Sequence, residues 1–216
     1  MYHFAPESRP TITAVIPAYN EAPRIAASIA DVHPHVQRII VVDDASQDAT
    51  ASLAAAAGAE VIQHKTNGGY IAAIKSGFAA VNDGIVVTID ADGEFCGSDI
   101  PALVAPIMAG RADMVQGRRP TVPRPSERVI SWLARRRAPA GDSGTGLRAL
   151  HWQLAQSLNI EGACICGVLS LEAAAKGARI VDVPVQLRGV RKTRRIAWFH
   201  LKQLRYLIPW LLKRYS

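Results

Sequence analysis

The sequence predicts an α/β domain with a mostly parallel central sheet flanked by helices. Short apolar runs rich in β-branched residues alternate with helical stretches, which is typical of parallel strands joined by helices. Several of these runs end in clusters of acidic and amide side chains, as strands do at the ligand-binding edge of such sheets. Of the 216 residues, 49% are hydrophobic and 20% are charged. That balance supports a core of ordinary size and excludes disordered, collagen-like and coiled-coil chains.

The first half of the chain predicts four strands joined by three helices. The strands are expected at residues 11–16, 38–42, 60–63 and 84–89. The connecting helices are expected at residues 21–31, 46–58 and 70–82, with Asn20 as the N-cap of the first helix.

The second half is less regular. It predicts a helix at 99–109, a strand at 113–116, a loop at 118–128 and a short helix at 129–137 that is apolar on one side and basic on the other. A flexible connection at 138–146 precedes helices at 147–158 and 169–176 and a strand at 178–185. A final amphipathic helix is expected at 196–212, kinked by Pro209.

Basic charge is concentrated at the end of the chain. Residues 188–216 contain nine basic residues and no acidic residue. This asymmetry divides the chain into a domain at 1–187 and a basic loop with an amphipathic helix at 188–216. It also predicts an anionic partner such as phosphates, nucleic acid or a membrane surface, with a solvated tail as the alternative. Aromatic residues are too sparse among the basic ones for a nucleic-acid surface, so no nucleic-acid partner is expected.

The chain is expected to be cytosolic. Its three cysteines do not form a disulfide framework, and the first residues lack the pattern of a secretory signal. No run approaches the roughly 18 apolar residues that span a bilayer.

Acidic residues follow three of the predicted strands. The segments are Pro-Ala-Tyr-Asn-Glu at 17–21, Asp-Asp-Ala-Ser at 43–46 and Asp-Ala-Asp-Gly-Glu at 90–94. In the last segment a bend at Gly93 would bring the carboxylates together as oxygen ligands for Mg²⁺ or Mn²⁺ carrying substrate phosphates. The alternative is that these aspartates only cap a turn and the following helix. Neither a dinucleotide-binding glycine motif nor a P-loop is present, so those two nucleotide folds are disfavoured.

Seven motifs in a fixed order identify a family resemblance. They are VIPAYNE at 15–21, IVVDDASQDAT at 40–50, NGG at 67–69, DADG at 90–93, GR at 117–118, DSGTGLR at 142–148 and RIVDVPV at 179–185. Over about residues 11–195 the chain resembles the family 2 glycosyltransferases of the GT-A fold, and among them the dolichyl-phosphate mannosyltransferase-like branch, the polyprenyl-phosphate glycosyltransferases. The resemblance implies a Rossmann-like nucleotide-sugar half at about 11–118 and an acceptor half at about 119–187.

The resemblance assigns a nucleotide pocket to the first two strand ends. Pro17, Tyr19 and Glu21 would line this pocket, and Val42 and Asp44 would contact the base and the ribose.

The resemblance places the donor diphosphate at the third strand end. Asp90, Ala91 and Asp92 would lie beside it, and Asp92 with Glu94 would hold the divalent metal. The family more often has glutamine where Glu94 stands, and the extra carboxylate would tighten metal binding or change the metal preference.

Basic residues complete the implied site. Arg118 would contact the sugar or a phosphate, and Asp142 with Arg148 would shape the acceptor side. Arg188 and Arg194 have the spacing of a phosphate-binding pair in the dolichyl-phosphate branch, with arginine in place of the usual lysine at the second position. The glutamate that family members carry near Gly167 is missing, which bears on the identity of the acceptor.

These residues together predict an inverting, metal-dependent glycosyltransferase. It would move a hexose from a nucleotide-sugar of the GDP-mannose or UDP-glucose type to a polyprenyl or dolichyl phosphate. This would happen at the cytoplasmic membrane face, with the final helix either lying at the membrane surface or packing on the domain. Asp92, Arg118 and Asp142 are the candidate catalytic residues, and Asp142 would be the general base if the acceptor were a hydroxyl. The alternatives are transfer to a glycan or small-molecule hydroxyl, and a non-catalytic nucleotide-sugar-binding module.

Overall fold

A computed structural model describes residues 10–122, 125–138, 141–162, 164–189, 202–203 and 205–208. Seven strands form one sheet in the order β3-β2-β1-β4-β6-β5-β7. The strands are β1 (Ile12–Ala18), β2 (Arg38–Asp43), β3 (Glu60–Gln63), β4 (Ile85–Thr88), β5 (Met114–Arg118), β6 (Arg148–His151) and β7 (Ile180–Pro184). The helices are α1 (Ile25–Val32), α2 (Thr50–Ala56), α3 (Tyr70–Ala79), α4 (Ile100–Met108), α5 (Pro125–Arg135), α6 (Trp152–Ser157) and α7 (Val168–Ala175). Short 3-10 helices lie at His33–His35 and Gly97–Asp99.

The predicted parallel sheet is confirmed in the first half of the chain. β1 pairs with β2 on one side and β4 on the other, and β2 pairs with β3, all in parallel. β5 pairs in parallel with β7. Among the strands of the described residues, only β6 runs antiparallel, between β4 and β5. The predicted α/β class with a mostly parallel sheet is therefore confirmed.

Helices cover both faces of the sheet. One core layer joins Ile74 and Phe78 of α3 and Leu169 of α7 to the strands, and the other joins Ile29 of α1 and Leu103 of α4 to the opposite face. Because both faces are covered, β1, β2 and β4 consist mostly of apolar residues, and this is why they stand out in the sequence.

The helix predicted at 147–158 is wrong in its first part. Arg148–His151 is strand β6, and only Trp152–Ser157 forms a helix. Four residues that include alanine and leucine carry little strand preference of their own. Their extended form comes from hydrogen bonds to β4 and β5, which lie far away along the chain.

Three helix starts also differ from the predictions. α1 begins at Ile25 and α2 at Thr50, later than expected, while α5 begins at Pro125 inside the predicted loop. The final helix is described only at residues 202–203 and 205–208, which are helical. The kink expected at Pro209 lies outside the described residues. None of the described helices is long and apolar enough to cross a membrane.

Candidate functional site

The carboxyl ends of three neighbouring strands form one edge of the candidate site. β2, β1 and β4 lie side by side and are parallel, so their carboxyl ends meet. Pro17 and Val42 are register partners near these ends. The Val42 side chain packs in the core, which leaves only its backbone for a ligand. Tyr19 is exposed beyond the end of β1.

Asp44 organises the turn that precedes α3. Its buried carboxylate accepts hydrogen bonds from the backbone N–H groups of Gly68 at 2.9 Å and Gly69 at 2.7 Å. The same carboxylate lies 2.6 Å from Nδ1 of His64, and the Asp44 carbonyl accepts from the Asn67 side chain. The Asn-Gly-Gly turn is therefore held by a carboxylate that belongs to the end of β2.

The polar segment after β1 bonds to the segment after β2. Asn20 has a φ of 55°, its N–H donates to Ser46 Oγ at 2.9 Å, and its Oδ1 accepts from the N–H of Gln47 at 2.9 Å. Asn20 is therefore not the N-cap of α1, and that prediction is wrong, because its side chain bonds across the strand ends instead. Glu21 is buried, and its N–H donates to Thr50 Oγ1 at 2.8 Å.

Three carboxylates cluster at the end of β4. Asp90, Asp92 and Glu94 each offer an oxygen, and these oxygens all lie within 4.8 Å of one another. Gly93 has a φ of 75°, the positive value that a sharp bend requires, and the N–H of Glu94 donates to Asp92 Oδ1 at 3.1 Å. An all-oxygen set of this kind fits Mg²⁺ or Mn²⁺. The cluster expected from the sequence is thus brought together in space.

Tyr70, which sequence reasoning missed, touches this cluster. Its hydroxyl donates to Asp90 Oδ1 at 2.9 Å. Burial, together with the charge of Asp90, raises the pKa of Tyr70 well above its usual value, so the hydroxyl keeps its proton. The sequence feature that points to Tyr70 is its position directly after the Asn-Gly-Gly turn, where it is the first residue of α3.

A buried ion network holds the start of residues 141–146, named the acceptor loop after the acceptor half that the family resemblance implies. The Arg119 guanidinium contacts both oxygens of Asp142, at 2.7 and 2.9 Å, and also Oε2 of Glu127 at 2.9 Å. All three side chains are buried. Burial alone would lower the pKa of Arg119, but the two carboxylates raise it above its ordinary value. Because both oxygens of Asp142 accept hydrogen bonds from the Arg119 guanidinium, this carboxylate supports the loop.

Arg119 and Glu127 were absent from the sequence predictions. Both lie in the stretch that was expected to be an irregular loop. Their signal was the single acidic residue, Glu127, among the arginines between residues 118 and 137.

The acceptor loop closes on the carboxylate cluster. A Cβ placed on Gly146 would overlap the Asp90 carboxylate, and Thr88 Oγ1 donates to the Gly146 carbonyl at 3.2 Å. Arg148 follows directly, is fully buried, and donates to the Ser143 carbonyl at 3.3 Å. The two halves of the chain therefore meet at Asp90.

Two of the three predicted phosphate-binding arginines are described, and they lie in different places. The Arg188 N–H donates to the Glu94 carbonyl at 2.8 Å, and its guanidinium donates to Asp31 Oδ1 at 2.6 Å. Arg118 is exposed at the end of β5. Arg194 lies outside the described residues. Arg188 is thus placed beside the carboxylate cluster.

Solved structures identify the class of fold. Glucosyl-3-phosphoglycerate synthase from Mycobacterium tuberculosis in complex with phosphoglyceric acid matches with a TM-score of 0.81 at 24% identity, covering 96% of this chain and 82% of that chain. The same enzyme in complex with Mn²⁺, UDP-glucose and phosphoglyceric acid matches with a TM-score of 0.79 at 22% identity, covering 96% and 81%. The fold is therefore that of the GT-A glycosyltransferases, as predicted.

Sequence comparison identifies the family. Residues 13–151 match the family described as glycosyl transferase family 2. An uncharacterised glycosyltransferase of Mycobacterium tuberculosis is 36% identical over 186 residues, covering 81% of this chain and 84% of that protein. The chain belongs to glycosyl transferase family 2, and the prediction of a glycosyltransferase is confirmed.

The name of one relative includes a substrate. The undecaprenyl-phosphate 4-deoxy-4-formamido-L-arabinose transferase of Salmonella choleraesuis is 32% identical over 168 residues. The match covers 69% of this chain and 50% of that protein.

Proposed function

We propose that this glycosyltransferase moves a hexose from a nucleotide-sugar of the GDP-mannose or UDP-glucose type to a polyprenyl phosphate, with inversion at the anomeric carbon. The observation that carries this proposal is the carboxylate cluster of Asp90, Asp92 and Glu94, which lies at the strand ends and is contacted by the acceptor loop. A donor held at this cluster would have its sugar next to that loop.

The reaction breaks the bond between the anomeric carbon and the diphosphate and forms a bond from the same carbon to the acceptor oxygen. Negative charge develops on the leaving nucleoside diphosphate while positive charge develops on the sugar ring. Asp92 and Glu94 would hold Mg²⁺ or Mn²⁺, which when bound supplies positive charge that stabilises the leaving diphosphate. Mn²⁺ is present in the complex of glucosyl-3-phosphoglycerate synthase with UDP-glucose. Arg188, beside Glu94, and Arg118 would add donors to phosphate oxygens.

The residues around Asp142 favour an acceptor whose attacking oxygen already carries a negative charge. A phosphate oxygen needs no strong general base, whereas a hydroxyl does. Asp142, the candidate base, has both oxygens bound by Arg119. The name of the Salmonella relative, an undecaprenyl-phosphate sugar transferase, points in the same direction. Polyprenyl phosphates are presented at membranes, so the proposal places the protein at the cytoplasmic membrane face.

Transfer to a hydroxyl of a small phosphorylated compound is the second candidate. It is favoured by phosphoglyceric acid, the ligand of the solved synthase that shares the fold. In that case a general base other than the Arg119-bound Asp142 would be required.

The first experiment identifies the donor. Thermal-shift titration with UDP-, GDP- and dTDP-sugars, with and without Mn²⁺, should give one donor that raises the melting temperature and does so more in the presence of the metal. That donor is then supplied with detergent-dispersed prenyl phosphate, phosphoglycerate or free sugars, and release of the nucleoside diphosphate is measured. Turnover with the prenyl phosphate supports the proposal. Turnover with phosphoglycerate alone supports the second candidate, and tight donor binding without any turnover indicates a non-catalytic module.

Asp92→Ala tests the carboxylate cluster directly. Turnover should fall by about 10²–10³-fold, because the charge that stabilises the leaving group is lost. The melting temperature without ligand should change little. The exposed Asp83 provides the control variant, Asp83→Ala, which should keep full turnover. An Asp92→Ala protein with normal activity would remove this residue from the mechanism.

A further inference from the structure

We infer that the exposed sides of α5 and of residues 202–203 and 205–208 form one docking face for an anionic lipid bilayer. The inference deepens the proposed function, because it names where a membrane that presents the acceptor would meet the protein. The docking face is defined by four apolar residues, Val129, Trp132, Tyr206 and Ile208, and by the basic residues that surround them.

Exposed apolar residues are concentrated on these two segments. Among the described residues, seven large hydrophobic side chains are exposed, and four of the seven belong to the docking face. Val129 is 52% exposed, Trp132 is 55% exposed and Ile208 is 51% exposed. Scattered exposed residues need no explanation, but a cluster on adjoining helices indicates a contact surface.

The two helical segments pack side by side on the domain. A Cβ on Gly167 would lie 3.0 Å from Leu207, 3.3 Å from Ile130 and 3.7 Å from Ala134, so α5 and the final helix meet over this glycine. Gln203 is fully buried and bonds to the Cys164 N–H and the Cys166 carbonyl, each at 3.0 Å. Gln203 and Leu207 therefore hold this segment on the domain, and Leu207 lies near Ile130 of α5.

The charge of the docking face is uniformly positive in the described residues. Its exposed basic residues are Arg128, Arg135, Arg136, Arg137, Lys202 and Arg205. The one acidic residue between 125 and 138, Glu127, points inward to Arg119, and residues 202–208 contain none. Each Lys or Arg near an anionic bilayer strengthens binding to it.

The side chains suit the interface between water and lipid. The guanidinium of Arg136 lies 4.2 Å above the ring of Trp132. Tryptophan and tyrosine prefer the headgroup region, with the ring buried and the polar atom in water, and arginine extends toward phosphates. This mixture of aliphatic, aromatic and basic residues is typical of helices that lie in a membrane surface.

Two residues of α5 connect this helix to the acceptor loop. Ser131 Oγ lies 3.1 Å from Ser143 Oγ, and Arg135 donates to the Gly141 carbonyl at 2.9 Å. The loop in turn reaches Asp90 through Gly146. A bilayer on the docking face would therefore lie next to the loop that the proposed acceptor must pass.

The test is binding of the full chain to vesicles that contain no prenyl phosphate. Phosphatidylcholine vesicles with phosphatidylglycerol should bind the protein, and pure phosphatidylcholine vesicles should bind it more weakly. The double variant Val129→Asp/Trp132→Asp should bind the anionic vesicles at least about tenfold more weakly. The matched control is Leu53→Asp/Met108→Asp, which changes two exposed hydrophobic residues on α2 and α4. It should bind as the unmodified protein does.

A second variant distinguishes loss of membrane binding from loss of folding. Arg136→Glu/Arg205→Glu keeps the apolar residues and should also weaken binding to anionic vesicles, and circular dichroism checks that each variant is folded. Equal vesicle binding by all folded variants would overturn the inference. It would also be overturned if the docking-face variants lost binding to single-stranded DNA and kept binding to vesicles.

Vesicle binding tests the docking face, whereas turnover tests the proposed function, so the two results can be told apart. The docking-face variants should keep normal turnover with detergent-dispersed acceptor. If the unmodified protein showed no turnover with any prenyl phosphate, the proposed acceptor would fail while the vesicle result would stand by itself.

Discussion

Asp44 and Asp142 are both buried carboxylates that hold a glycine-containing loop, but their partners differ. Asp44, in the expected nucleotide-sugar half, accepts from two backbone N–H groups and faces a histidine ring. Asp142, in the expected acceptor half, is bound by the Arg119 guanidinium, which also binds Glu127. The first arrangement uses the main chain, whereas the second uses three charged side chains.

This difference predicts different sensitivity to substitution. Backbone donors stay in place when a side chain changes, so the loss is limited to the hydrogen bonds removed. Removal of one ion from a buried ion network lowers the free energy of unfolding more, because the remaining ions stay buried without a compensating charge. We therefore expect the acceptor half to be the more easily damaged half of the molecule.

Arg119→Ala should give the largest effect. Asp142 and Glu127 would remain buried without their cation, which should lower the free energy of unfolding by about 3–5 kcal/mol. Urea unfolding measures this change. Arg111→Ala, at an exposed arginine, is the control and should change it little. A loss no greater than that of the control would contradict the proposed difference between the halves.

Gly146→Ala tests the close approach of the acceptor loop to Asp90. The added methyl group would overlap the Asp90 carboxylate and displace it from the cluster. Turnover should fall by about 10²-fold, since a displacement of about 1 Å can cost this much. Gly189→Ala is the matched control, because a Cβ at Gly189 meets nothing within 4 Å. Steady-state kinetics with the identified donor compares the two, and equal rates would show that Gly146 tolerates the methyl group.

Asp44→Asn should have a smaller effect. The amide keeps one acceptor oxygen but loses the negative charge that faces Gly68, Gly69 and His64. We expect a loss of about 1–2 kcal/mol in the free energy of unfolding. We also expect about tenfold weaker donor binding, measured by calorimetry, because the implied ribose contact is weakened. A destabilisation as large as that of Arg119→Ala would remove the contrast between the two loops.

Asp31→Asn should change the free energy of unfolding least, and the size of this change should depend on pH. Burial raises the pKa of Asp31, but the hydrogen bonds from Arg188 and the Gly97 N–H outweigh it, so the pKa lies below the usual 3.8. The stabilisation, about 0.2–1 kcal/mol for a partly exposed pair, is therefore present above pH 3.8 and is lost as the pH falls through the lowered pKa. Unfolding curves of both proteins should differ slightly at neutral pH and converge in acid. A difference that grows in acid would contradict the assignment.

Much of the fold was predictable because its strands are buried on both faces. β1, β2 and β4 are rich in β-branched apolar residues and are buried along nearly their whole length. Polar residues follow each of them, so both the strand and its end are visible locally. The carboxylate cluster was predictable for the same reason, since Asp90, Asp92 and Glu94 lie within five consecutive residues.

β6 and the ion network were not predictable in this way. The residues of β6 become a strand through pairing with β4 and β5, and helix formers in its sequence gave the opposite indication. Glu127 is buried because α5 starts early and turns this residue toward Arg119.

The local pattern of the amino-acid sequence therefore accounts for the α/β class, the edge of the sheet that carries the site, and its acidic residues. The order of the strands, the bonding of Asp142 to Arg119 and of Asp31 to Arg188, and the joining of α5 to the final helix depend on the folded chain. Those contacts join residues 23 and 157 positions apart in the two ion pairs. The physical reason is that hydropathy and strand-end chemistry belong to contiguous segments, whereas burial of a charge is decided by whatever distant segment packs against it.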